Sequence, residues 1–397
     1  MKNVSEIKEN ECCGCNVCVQ VCPKKCIELK ANREGFLYPI VDSTECISCL
    51  KCIQNCTVLK KFEDIQFQQK GFAVRLKDKS KLMQSSSGGV FSGIAESIIN
   101  EGGIVFGATY DDELNVHHIM VDNLNDLNKL KGSKYVAGNT EKTYSEVKNI
   151  LDNSERKVLY SGSPCQIAGL KSFLHRDYDN LYTADIICHG MPSSKLFHKY
   201  LEWLGKKNKG KILYYGFRDK DVGGWTCGGK AKTKTKTKTK TINGPLDPYY
   251  SSFLRGATYR QSCYSCKFSN YKKRQADITM GDFWGIEFYY PKFYSKYGTS
   301  CCLINSSKGE KLFSETENQF ECQEVKIEEI ISENHNLLHP TPKPKKRNLI
   351  YRRIDDEPKK LIKDLYSPIY IRIIRLIISL IPHDFKYFLK KIVRKLK

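Results

Sequence analysis

The chain of 397 residues lacks the usual marks of a secreted, membrane-spanning or nucleotide-binding protein. Its start, MKNVSEIKENECC, has no apolar run of the signal-peptide kind. No stretch reaches the roughly 18 uncharged apolar residues that a spanning helix needs. A cytoplasmic protein is the expectation. No G-x-G-x-x-G turn and no G-x-x-x-x-G-K-[ST] loop occurs, so nicotinamide and nucleoside-triphosphate readings lose their usual support. Negative charge is scarce: 44 Asp and Glu stand against 65 Lys and Arg, a formal +21. Such an excess suits a nucleic-acid binder, but its distribution does not. From Lys343 to Lys397, 17 basic residues face five acidic ones, so 17 − 5 = +12 of the excess sits in the tail. Five more lysines lie in the repeat KTKTKTKTKT (232–241). What remains is near neutral, and no nucleic-acid partner is expected.

Cysteine is what the chain has in excess. In a reducing compartment, 18 cysteines are better metal ligands or redox groups than disulfide partners. Ten lie in residues 1–64, in two runs about 34 residues apart. Cys12, Cys15, Cys18 and Cys22 are spaced C-x2-C-x2-C-x3-C and followed by Pro23. Cys46, Cys49, Cys52 and Cys56 repeat that spacing, with Thr57 in place of the proline. Closely spaced thiolates on a tight loop can bind three corners of one [4Fe–4S] cubane, and the fourth, beyond a short helical turn, points to the other cluster. The runs resemble the bacterial two-cluster ferredoxin. That resemblance implies crossed sets: Cys12, Cys15, Cys18 and Cys56 for one cluster, and Cys46, Cys49, Cys52 and Cys22 for the other. The alternative is a zinc ribbon or buried structural cysteines, but a zinc site has no need of four ligands per run. Cys13 and Cys26 are surplus and read as small buried hydrophobes beside the clusters.

Beyond the cysteine runs, apolar stretches at 71–76, 102–110, 157–162 and 181–188 predict strands. Helical patterns near 89–100, 141–152, 164–174 and 194–206 separate them. The expected fold is therefore α+β to α/β: a ferredoxin-like two-cluster domain over 1–64, an α/β body over 68–340 with parts at about 68–150 and 151–340, and a basic linker and amphipathic helical tail over 341–397. The KT repeat predicts a solvated hairpin arm or loop of little functional weight.

Within the body, SSSGGVFSG (85–93) opens a helical run, and Ser hydroxyls with free N–H groups at a helix start can cradle phosphate. In SGSPCQIAGL (161–170), Ser163 can cap a helix with Pro164 at its first position, which puts Cys165 in the first turn, where the dipole favours a thiolate. Cys188 ends a strand in ADIICHGMPS, and CYSC supplies Cys263 and Cys266 shortly before DITMGDFWG (277–285). The four can converge on a third [4Fe–4S] cluster; a buried Cys and a structural pair is the other reading.

Together SSSGGVFSG, KGSKYV (131–136), GSPCQIAGL, CHGMPS, FRDK (217–220), CYSC and GDFWG resemble the beta subunit family of coenzyme F420 hydrogenases and dehydrogenases, over roughly residues 1–310. The resemblance implies an iron–sulfur flavoprotein with FAD and a further cubane. It places Ser86, Ser87, Gly88, Gly89, Lys134 and Tyr135 in the flavin site and Cys165, Cys188, Cys263 and Cys266 on the inner cluster. Asp282 and Trp284 fall in a family motif that also reads as a packed turn. His189 invites a proton-donor role, although a lone His beside a cysteine is more often structural. No catalytic residue is named. Cys227, Cys301, Cys302 and Cys322 read as structural.

From Ile369 onward, Arg372, Arg375, Ser379, His383, Lys386, Lys390, Arg394 and Lys397 fall within an arc of about 100° on a helical wheel, with Pro382 as a kink. This pattern suits the surface of an anionic membrane, or a helix packed on the body with a solvated basic face. The functional expectation is a ferredoxin- or deazaflavin-linked reductase acting on a small molecule or a redox partner protein. The tail points toward a substrate tied to lipid or envelope polysaccharide. A relay subunit without its own substrate pocket is the alternative.

Overall fold

The computed structural model describes residues 2–381, apart from 221–224, 226–229, 235, 237–238 and 244–245. Cys227, Pro382 and the tail residues His383, Lys386, Lys390, Arg394 and Lys397 lie outside that set. Thirteen strands are described. They are β1 (Ile27–Ala31), β2 (Leu37–Val41), β3 (Lys70–Leu76), β4 (Ile104–Tyr110), β5 (Val116–Val121), β6 (Val158–Gly162), β7 (Leu181–Ile186), β8 (Tyr214–Gly216), β9 (Lys230–Lys234), β10 (Thr239–Asn243), β11 (Ile278–Asp282), β12 (Ser300–Ile304) and β13 (Phe320–Val325).

Eight of them form one mixed sheet in the order β13-β3-β12-β11-β7-β6-β4-β5. The central four, β11, β7, β6 and β4, run parallel. The antiparallel pairs lie outside them. Alternate residues of the central strands are buried on both faces, as strands covered by helices on both sides must be. Val105 and Leu159 pack with the helices Val90–Asn100 and Leu124–Leu130. Ile104, Phe106, Val158 and Tyr160 pack on the opposite face with Thr143–Asn153 and Pro164–Leu174. The predicted alternation of strand and helix is thus a three-layer α/β body. β3 pairs with β12 and β13, so the stretches 68–150 and 151–340 share one sheet.

The cysteine-rich segment adds the hairpin β1–β2 and two one-turn helices, Val17–Gln20 and Lys51–Gln54. It is docked into the body. Cys15 and Val17 sit in the core cluster of Tyr144, Ile167 and Leu170. The Tyr144 hydroxyl donates to the Cys15 carbonyl at 2.8 Å. In the KT region β9 pairs with β10 antiparallel, Thr233 opposite Lys240 and Lys232 opposite Thr241, and β8 completes a small sheet.

One boundary differs from the reading of composition. Residues 346–365 are neither linker nor tail. The helices Lys346–Arg352 and Pro358–Leu365 bury Ile350, Tyr351, Leu361, Ile362 and Leu365 in the core cluster that also holds Phe36 and Tyr38. Arg347, 1% exposed, forms a bidentate ion pair with Glu34 of the cysteine-rich segment. The Pro- and Lys-rich stretch before these helices masked apolar residues spaced three and four apart, whose burial outweighs a basic composition.

Candidate functional site

The carboxyl ends of the parallel strands converge, as the general rule for open α/β sheets requires of a binding site. Past the end of β6 stands Ser163. Its N–H and hydroxyl both donate to the Gln166 side-chain oxygen at 2.9 Å, and Pro164 opens the helix. Cys165 follows in the first turn, its Sγ 3.2 Å from the Ser163 Oγ. Past the end of β7 comes Cys188. Cys263 and Cys266 sit on a 3-10 turn, Gln261–Ser265, and just after it, ahead of β11. Cys266 is within electrostatic reach of Cys165, Cys188 and Cys263.

Two further thiol groups lie in the first segment. Cys18 has Cys12, Cys56 and Cys52 within electrostatic reach, and Cys56 has Cys13 and Cys12, which places Cys56 beside the first run. Cys22, Cys26, Cys46, Cys49 and Cys52 wall a small cavity, which brings Cys22 to the second. Cys22 and Cys26 approach to 3.5 Å. Among the described residues no three His, Cys, Asp or Glu side chains converge tightly enough to chelate a single ion. A cubane offers each thiolate its own iron and takes a wider ring of sulfurs.

The electrostatics also suit clusters. Burial pushes Cys188 up to about 12 and Cys56 up to about 11, and it raises Cys12, Cys18, Cys263 and Cys266. Buried thiols of this kind ionise only when a metal supplies the opposing charge. The expected dipole activation of Cys165 is absent. Its hydrogen bond to Cys13 and its burial raise it well above the thiol range, and they outweigh a helix terminus. Arg260 is the complement: a guanidinium 5% exposed, with no carboxylate paired to it among the described residues. Its Nε donates to the Cys12 carbonyl at 2.7 Å, and its Nη2 lies 3.6 Å from the Cys12 Sγ. A buried unpaired cation is costly, and the anionic charge of iron-bound thiolates would compensate it. The donor set fits iron–sulfur clusters.

Cys13, read from sequence as a filler, joins the first and inner groups. Cys15 on one side and Cys165 on the other are the leading electrostatic influences on its thiol. The Thr57 hydroxyl, in the place of the expected proline, lies 3.5 Å from both Cys13 and Cys15. Thr57 therefore contributes a polar contact that a proline could not.

Beyond the inner thiols lies a cavity of about 290 Å³, close to the lower bound of about 300 Å³ for small-molecule sites. Cys188 and His189 line it, as do Ser86, Ser87, Gly89, Lys134 and Tyr135. Val90, Phe91 and Ser92, whose N–H groups have no intrahelical partner, line it too. Five of the sequence motifs, SSSGGVFSG, KGSKYV, GSPCQIAGL, CHGMPS and GDFWG, meet around it. The Ser86 hydroxyl accepts from Ser133 N at 2.8 Å, and Ser87 donates to the Thr299 carbonyl at 3.1 Å. Lys220 donates to the Leu82 and Ser87 carbonyls at 2.7 and 2.5 Å, and burial lowers it to about 7. Lys134, also lowered to about 7 by burial, reaches the carbonyls of Lys131 and Gly132 at 3.1 and 3.2 Å. Tyr135 stacks on Phe253 at 4.2 Å.

Gly88 departs from its expected role. It is not in the cavity wall: a Cβ there would meet the Val74 carbonyl at 2.1 Å and Ser300 N at 2.5 Å, so it serves close packing on β3 and β12. Gly89, at φ +87°, starts the helix. Asp282 accepts two hydrogen bonds from Arg218, at 2.8 and 3.0 Å, and one from Trp225 at 2.7 Å. Burial raises its carboxyl, but the Arg218 charge and these bonds outweigh it and leave it lowered. That is a satisfied turn. Burial lowers His189 to about 4, with the His335 ring 6.0 Å away. His118, Arg218 and Arg260 were not singled out from sequence. His118 lines the cavity, donates from Nε2 to the Ser161 carbonyl (3.1 Å), and has Nδ1 unpartnered among the described residues. Cys301 and Cys302 are fully buried in β12.

These features fit a redox protein of the iron–sulfur class. Residues 155–330 match the family described as the C terminus of the coenzyme F420 hydrogenase/dehydrogenase beta subunit. Over that stretch, less than half of its length, the chain is similar to this family. The chain is also similar to one solved in the F420-reducing [NiFe] hydrogenase complex from Methanosarcina barkeri: 17% identity, 76% of this chain and 91% of that chain covered, TM-score 0.46. No curated protein matches.

Proposed function

We propose that the protein is an iron–sulfur flavoprotein that passes electrons from two ferredoxin-type [4Fe–4S] clusters, through an inner cluster, to FAD and then to a substrate. The observation that carries this reading is continuity. Cys13 has Cys15 of the first run and Cys165 of the inner group as its leading electrostatic neighbours, and Cys188 lines the cavity. When bound, the clusters supply one-electron transfers and the flavin a one- to two-electron exchange. Cys12, Cys15, Cys18 and Cys56 would hold one cluster, Cys22, Cys46, Cys49 and Cys52 the second, and Cys165, Cys188, Cys263 and Cys266 the third.

The chain's own groups account for the rest. The first turn of Val90–Asn100 offers N–H groups without intrahelical partners, and Lys134 lies beside it in the cavity lining, a setting that suits a diphosphate. Tyr135, held by Phe253 and Tyr249, gives the cavity an aromatic wall. His118 offers the one polar side-chain atom described there as unpartnered. The test is anaerobic reconstitution of the full chain. About twelve iron atoms, a flavin absorbance and bleaching of that flavin by a low-potential one-electron donor are expected. Iron without any flavin uptake would favour a relay subunit.

The tail supports peripheral binding to an anionic membrane. On the helix Ile369–Leu380, Ile369, Tyr370, Ile373, Ile374 and Ile377 are each more than half exposed. Residues 369–397 carry eight basic residues and one acidic, a charge of 8 − 1 = +7. Apolar residues with this charge complement anionic lipid. No helix among the described residues is long and apolar enough to cross a membrane. Full-length protein should float with vesicles of phosphatidylcholine and phosphatidylglycerol and stay behind with phosphatidylcholine alone. Equal behaviour with both overturns the assignment.

A further inference from the structure

Two buried arginines flank the inner thiols, and they differ in one respect. Arg274 pairs with Asp185 at 3.2 Å, both essentially inaccessible. Its charge is balanced within the protein. Arg260 pairs with no carboxylate among the described residues. It is held by the Cys12 and Leu37 carbonyls, at 2.7 and 2.9 Å, and by the face of Tyr38, 3.9 Å from its guanidinium carbon. Ser262 donates to the same Cys12 carbonyl at 2.9 Å. The backbone reinforces this placement: Arg260 N donates to Met191 O at 2.9 Å, and Cys263 N donates to Arg260 O at 3.0 Å. A Cβ on Gly14 would meet the guanidinium at 3.0 Å, so the Cys12–Cys15 loop is closed directly over it.

The charge stands between two thiol groups. Cys12 and Cys13 of the first segment and Cys263 of the inner group are its electrostatic partners. The thiols of the second run, Cys46, Cys49 and Cys52, are not among its leading partners, and Cys49 is exposed to water. Adding an electron to a thiolate-ligated cluster makes it more negative. A nearby buried cation therefore favours the reduced state and raises the reduction potential, while a cluster remote from it and open to water is little affected.

We propose that Arg260 is a positioning residue for electron flow, a shared counter-charge that raises the potentials of the Cys12 cluster and the inner cluster above that of the Cys46 cluster. Each electron from a low-potential one-electron donor then moves inward, leaving the outermost cluster oxidised as the next one is reduced. The inference rests on the cluster assignment of the proposed function.

The test is a potentiometric titration of the reconstituted full chain followed by electron paramagnetic resonance, with iron counted in every sample. In Arg260→Gln, electron sharing should shift at least tenfold away from the two adjacent clusters, which is about 59 mV for one electron. The Cys46 cluster should keep its potential, and Arg260→Lys should recover most of the shift. If Arg260→Gln loses iron and Arg260→Lys retains it, the counter-charge is supported. If both lose iron while the unaltered protein keeps it, the shape of the guanidinium matters rather than its charge, and the proposal falls. Unchanged potentials in iron-replete Arg260→Gln, or equal shifts in all three clusters, overturn it as well. Absence of iron from the unaltered protein would instead remove the cluster assignment itself.

Discussion

The outermost and the innermost thiol groups are built in opposite ways. Cys46, Cys49 and Cys52 follow one another on one loop and one helical turn, with Cys49 exposed. Cys165, Cys188, Cys263 and Cys266 come from three separate parts of the chain, Cys165 and Cys188 past the carboxyl ends of β6 and β7 and the other two ahead of β11, with Cys266 within electrostatic reach of the rest. Local spacing suffices for the first kind of site. The second kind exists only once the sheet has formed. The contrast extends to chemistry: the outer group is accessible to a protein donor, while the inner one has two buried arginines and a cavity as neighbours.

The largest expected effect tests whether the inner group holds iron of its own. Replacing Cys165 and Cys263 together by Ser should remove about four of about twelve iron atoms and leave the two ferredoxin-type signals in place. An unchanged iron count by colorimetric assay would break the comparison. Exposure makes the second contrast. On admission of air, iron held by the Cys46 group should be lost on the order of tenfold faster than iron held by the inner group, since oxidation follows access. Mössbauer spectra taken through the exposure resolve the two, and equal rates would show that both are equally open.

A smaller effect tests how the segments are joined. Arg347→Met leaves Glu34, itself 22% exposed, without its bidentate partner. Unfolding should be easier by about 2–3 kcal/mol, below the range for a fully buried pair because water reaches the carboxylate. Urea denaturation measures it, and a change under 1 kcal/mol, at about the worth of a surface pair, would mean that the tail helices do not anchor the cysteine-rich segment. The smallest effect concerns Thr57. Thr57→Val removes the hydroxyl shared by Cys13 and Cys15 and should cost about 1 kcal/mol with iron content retained. Loss of iron from the first cluster alone would raise Thr57 from a packing contact to a determinant of ligand geometry.

Much of this was legible in the sequence. The parallel strands and the helix Pro164–Leu174 follow from apolar periodicity and from Ser163-Pro164 at a helix start. The two cysteine runs follow from spacing alone, because ligands three or four residues apart meet on a turn whatever surrounds them. The family motifs named the loops that gather at the cavity. Gly88 was misplaced because a sequence does not say whether the backbone approaching a glycine belongs to a ligand or to a neighbouring strand. Cys13 and Arg260 were missed because neither is part of a local pattern: one is an unpaired extra in a cysteine run, the other a lone cation three residues before Cys263. Residues 346–365 were mistaken for linker and tail because their lysines dominate the composition while a few apolar side chains decide the packing.

By itself, then, the sequence determined whatever depends on neighbours along the chain: the ferredoxin-like runs, the alternation of strand and helix, and the capped first turn that carries Cys165. Tertiary structure alone decided that Cys13 comes within electrostatic reach of Cys165, that Arg260 reaches Cys12 with no carboxylate paired to it among the described residues, and that Arg347 reaches Glu34. Those contacts join residues more than a hundred positions apart. Their energies come from burial and unbalanced charge, which have no value until the sheet and its helices have excluded the water.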